Sequence, residues 1–127
     1  MGVLGANVVS GAGMRFPTPY VVLSQRFSEG PEKDARGNPV KKWSNPFAQS
    51  VIAFGPPQSS EPKLAGHDRV VVELELFVPP EFVAAHQDKQ KLPDGSVWSV
   101  LGAIEDYTHG PWGFAPGGVV NLKRVEG

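Results

Sequence analysis

Cysteine is absent from this 127-residue chain. That removes disulfide frameworks and thiolate metal sites and fits a reducing compartment. A surplus of one charge is also missing: 12 Lys and Arg stand against 13 Asp and Glu, with a net charge of -1 and a pI near 6.3. A protein that grips a polyanion needs a basic surface to displace counterions. Lys41, Lys42 and Lys63 read instead as solvated loop charges. No run approaches the ~18 apolar residues of a membrane helix, so no membrane partner is expected. The apolar start, Met1–Gly13, has no basic segment ahead of it, which argues against a signal peptide. Residues 1–15 read as a flexible N-terminal arm, and residues 16–127 as a single domain.

Helical periodicity is nearly absent too. Only Glu81–Lys91, around Phe82, Val83 and Ala84, has room for a helical turn or two. What the chain has instead is punctuation. Gly 15 and Pro 13 break up apolar runs, which marks turns and long loops. Tyr20–Phe27 alternates so that Val21, Leu23 and Phe27 share one side. Ser28–Asn38 is polar and broken by Gly30-Pro31 and Arg36-Gly37-Asn38. Val40–Trp43 is a short strand candidate and Ala48–Phe54 a better one, closed by Gly55-Pro56-Pro57. Gln58–His67 reads as a loop.

Arg69–Val78 is the clearest strand. Val70, Val72, Leu74, Leu76 and Val78 form one apolar face, and Glu73 and Glu75 lie on the other as a solvated surface. The chain end supplies two more strands, Ser96–Ala103 and Val119–Arg124, separated by the loop Glu105–Gly118. Short strands, long connections and no βαβ rhythm predict an all-β fold, a small single-domain β-barrel with long loops and at most one short helix.

Chemistry-bearing patterns are sparse. His67, His86 and His109 sit in separate loops with no second histidine at ligand spacing. There is no Gly-x-Ser-x-Gly elbow, and the glycines of Gly110–Gly113 and Gly117-Gly118 lead into no Gly-Lys-Ser/Thr or helix. Glu105 and Asp106 are adjacent on a strand-like backbone and so point apart, not toward a shared proton. These residues point away from an enzyme and imply no cofactor or metal. Aromatics are placed more tellingly. Trp43, Phe47, Trp112 and Phe114 sit in or beside loops bounded by Pro and Gly, where aromatic rings dock on something rigid. They are candidates both for barrel caps and for an interface.

The ordered set Leu92-Pro-Asp-Gly95, Trp98, Asp106, His109-Gly-Pro111, Pro116-Gly117 and Val119-Val-Asn-Leu-Lys-Arg-Val125 resembles the end of the head-to-tail stopper proteins of tailed phages infecting actinobacteria. The likeness covers Arg69–Gly127 well and Tyr20–Phe54 loosely, while the long loops Ser28–Asn45 and Gly55–His67 depart from it. The resemblance implies a virion protein, assembled in the host bacterial cytoplasm as a homo-oligomeric ring of six or twelve copies. Such a ring lies between the portal or adaptor ring and the tail terminator. Packaged double-stranded DNA passes through it without sequence-specific binding, and one loop closes the channel. Gly55–His67 is the expected gate, with Gln58, Glu61 and Lys63 as its polar residues, because prolines stiffen it and few charges would hold DNA. The alternative is a monomeric OB- or SH3-like barrel that stacks single-stranded nucleic acid or peptide on Trp and Phe. Such a site needs cations beside its aromatics, whereas Trp112 and Phe114 have Glu105, Asp106 and His109.

Overall fold

The computed structural model describes residues 16–58, 60–111 and 116–125. The expected arm, residues 1–15, and the aromatic candidates Trp112 and Phe114 lie outside them. Among the described residues the fold is antiparallel β with no α-helix and no segment able to cross a membrane as a helix. Twelve strands run in chain order: β1 Tyr20–Gln25, β2 Phe27–Lys33, β3 Pro39–Trp43, β4 Phe47–Val51, β5 Ala53–Gly55 and β6 Leu64–Ala65. The others are β7 Val70–Val71, β8 Leu74–Val78, β9 Lys89–Lys91, β10 Val97–Val100, β11 Glu105–Asp106 and β12 Gly118–Arg124.

The main sheet has the order β4-β1-β9-β10-β12-β8-β5, with β11 added onto β12. Its first and last members are neighbours in sequence. Ile52 alone separates β4 from β5, and its N–H donates to Phe77 O at 2.8 Å. One run of chain, Phe47–Gly55, therefore pairs with β1 through its first half and with β8 through its second. The core lies on the inward face of this sheet. Val22, Val51, Leu76, Val78, Trp98, Val100, Val120 and Leu122 are buried together, as alternation along each strand requires.

Several expectations change in detail. Arg69–Val78 is not one strand, because its backbone switches partners midway. Val72 N–H donates to Lys63 O and Glu73 N–H to Leu122 O, so β7 hairpins with β6 while β8 joins the main sheet. The inward residues are nonetheless those expected: Val72, Leu76 and Val78 are buried and Leu74 packs on the core. Glu81–Lys91 contains no helix; it turns twice and ends in β9.

Ser28–Asn45, expected as a long loop, is largely the hairpin β2–β3. Its tip is closed by Asp34, whose Oδ1 accepts from the N–H groups of Arg36 and Asn38, with Gly37 at a φ of 83° as tight turns require. In β1, Val22 and Ser24 point inward, while Val21 and Leu23, the side that alternation groups together, face out.

Candidate functional site

Lys63 ends the Pro-rich connection that leaves β5. Its ammonium reaches across the outward face of the sheet and is shared by two carboxylates. It donates to Glu75 Oε2 on β8 and, at 3.0 Å, to Glu105 Oε1 on β11. Strand alternation places these groups. Glu75 is opposite Asn121 in the β8–β12 pair, and Glu105 is opposite Val119 in the β11–β12 pair. Asn121 Nδ2 then donates to Glu105 Oε2 at 3.0 Å, while its buried Oδ1 meets no donor among the described residues.

Burial disfavours both charged forms here, and the pairing outweighs it. For Glu105, burial pushes the carboxyl pKa up, but hydrogen bonds from Asn121, Lys63 and Tyr107 bring it below its ordinary value. For Lys63, burial pulls the pKa down, yet the bonds to Glu75 and Glu105 leave it raised. Glu105 and Asp106 point apart, as adjacent strand residues must. Asp106 instead accepts from the N–H and hydroxyl of Thr108, which holds its own carboxyl below the usual range.

Beside this network lies an open groove of about 540 Å³. Phe16, Ile52, Phe77 and Tyr107 give it an apolar lining, and Lys63, Glu75 and Glu105 form its charged end. Its floor depends on a close approach of backbones. Gly117 has a φ of 132°, and a Cβ there would collide with the carbonyl of Val78. Only glycine lets the chain enter β12 along this path.

A second cluster secures the β2–β3 hairpin. Asp88, buried just before β9, accepts from Phe27 N–H at 2.8 Å and from Ala85 N–H at 2.9 Å, and pairs with Arg26 Nε at 3.1 Å. Trp43 donates from Nε1 to Gln87 O, packs at a tilt against Phe27 and lies under the Lys89 ammonium. Of the expected interface aromatics, Trp43 is therefore engaged within its own chain, and Phe47 is half-buried opposite Ser24. Of the expected gate residues, Gln58 bonds its own loop at Pro56 O, Glu61 is exposed, and Lys63 alone lines the groove.

Glu75, Glu105 and Asn121 were not expected as a unit. They lie far apart in sequence, and only a register between strands could have joined them. No group of three or more potential metal ligands occurs among the described residues. No protein-family model, curated protein or solved structure matches this chain.

Proposed function

We propose that this protein is a ring-forming stopper of a phage head-to-tail connector, built on a barrel that Phe47–Gly55 closes by serving as strand to both β1 and β8. The observation that carries the reading is how the connection after Gly55 is held. Gly55 pairs with Glu75 in the β5–β8 ladder, and Lys63 is bonded to the side chain of that same Glu75. Both feet of a proline-rich connection thus stand on one residue of β8. Such a loop suits a plug that meets copies of itself at a ring axis. Its modest charge would let DNA pass without being gripped.

The groove does not favour the nucleic-acid-binding alternative. Its single lysine is committed to two carboxylates, whereas a stacking site pairs its aromatics with free cations.

The test is to replace Pro56–Pro62 by a tight turn while keeping Lys63, and to assemble heads with the variant in place of the parent. The expected result is a folded protein that joins the head but lets packaged DNA leak before a tail attaches. Heads that keep their DNA as well as the parent would overturn the reading.

A further inference from the structure

Two apolar patches face outward on different strands, the first crossed by exposed Lys91 and the second lying between exposed Arg69 and exposed Glu73. The first is on β1. Val21 is 50% exposed and Leu23 41%, with exposed Ala48 and Ser50 opposite them on β4. Leu23 also stands directly opposite Lys91 on β9, and Lys91 opposite Val97 on β10. The row Leu23, Lys91, Val97 therefore crosses three strands with one exposed cation in it.

The second patch is on the β6–β7 hairpin and its continuation. Leu64 is 42% exposed and Val71 48%, and they are cross-strand partners. Glu73 follows Val71 on the same side and is exposed. No cation pairs with it among the described residues.

The two patches cannot meet within one chain. Leu23 is level with Ala48, near the start of the run Phe47–Gly55. Glu75, the next outward residue after Glu73, is level with Gly55 at its far end. Two different, complementary patches on one subunit make a heterologous contact, which repeats from copy to copy and closes when the rotation allows. Pairing of either patch with its own copy would set Lys91 near Lys91, or Glu73 near Glu73.

We infer that the Val21–Leu23–Lys91 face of one copy packs on the Leu64–Val71–Glu73 face of the next. Apolar side chains form the centre, and the lysine–glutamate pair sets the register. This rests on the ring reading above and names the surfaces that build the ring.

The absence of native cysteine allows a direct test on the full chain. Leu23→Cys and Val71→Cys variants are prepared separately, mixed at high concentration and treated with a short bis-maleimide. A crosslinked dimer forms in the mixture and not in either variant alone. Adding Lys91→Glu to the first partner lowers its yield about tenfold or more, and Glu73→Lys on the second restores it. Crosslinking of either variant with itself at the same yield, or no mixed product at any concentration, overturns the contact.

The two readings fail separately. No mixed product, with loop-shortened heads still leaking DNA, removes the contact and keeps the stopper. A mixed product, with those heads retaining DNA, does the reverse.

Discussion

Ser24 donates its hydroxyl proton to Gln90 Oε1 across the β1–β9 pair, and both side chains are fully buried. Gln49 Nε2 donates in turn to Ser24 Oγ at 2.9 Å. A polar chain thus lies on the inward side of β1, next to buried Val22. Gln90 Nε2 is buried and meets no acceptor among the described residues, so removing the hydroxyl with Ser24→Ala leaves Gln90 with a second unpaired group, at a cost of about 1–3 kcal/mol. Replacing both residues (Ser24→Ala with Gln90→Met) removes the polar groups together and should return stability to within about 1 kcal/mol of the parent. Urea midpoints of the parent and the two variants decide it. A Ser24→Ala protein as stable as the parent would contradict the buried pair.

That pair also marks where the sequence stopped being legible. Arg69–Val78 could be read because Val70, Val72, Leu74, Leu76 and Val78 share one face, and Val72, Leu76 and Val78 on it are buried. In β1 both faces carry apolar residues, so alternation alone cannot choose between Val22 and Leu23. The choice came from the strands on either side, which place Gln49 and Gln90 where Ser24 can bond them. The ion network was less legible still. Glu75 reads as a surface residue on its own strand, and nothing near Lys63 in sequence announces Glu105. A shared ammonium is a property of three-dimensional register. Lys63 itself was singled out, but as a loop charge and not as the loop's anchor.

Asp88 should hold the β2–β3 hairpin in place. Asp88→Ala strips an acceptor from two backbone N–H groups and the partner from Arg26, costing about 2–4 kcal/mol. Amides of the hairpin should then exchange much faster with solvent while those of β8 and β12 stay protected. Arg26→Ala, with its half-exposed side chain, should cost under about 1 kcal/mol. Equal losses from the two changes would assign the effect to the ion pair instead of the backbone bonds.

Gly117 admits no side chain. Gly117→Ala combines a left-handed backbone with a collision against Val78, and should destabilise by about 3 kcal/mol or more. Gly95→Ala is the control, because its φ is also positive, at 89°, while nothing lies within 4 Å of the added carbon. It should cost about 1–2 kcal/mol. Thermal unfolding separates strain from collision, and equal losses at the two sites would mean that β12 can shift to accommodate the methyl.

The Lys63 network should leave a signature in the pH dependence of stability. Glu105 titrates below its ordinary 4.5 in the folded protein. Its contribution is complete above that value and is lost as the pH falls through the lowered one. Lys63 titrates above its ordinary 10.5, so its contribution is complete below that value and is lost as the pH rises through the raised one. Between the two, both charges are present and the loop foot is secured. Lys63→Met keeps much of the side-chain length but leaves Glu75 and Glu105 facing each other without a cation. At neutral pH it should cost about 1–2 kcal/mol, reduced from the value of a buried pair by partial exposure to solvent. As the pH drops below the carboxylate range, the parent loses its advantage and the two unfolding curves converge. Urea midpoints across the acid range read this directly, with Lys63→Arg as the variant that keeps the charge. A gap between parent and Lys63→Met that persists unchanged into acid would mean that Lys63 holds the loop by packing its methylenes and not by its charge.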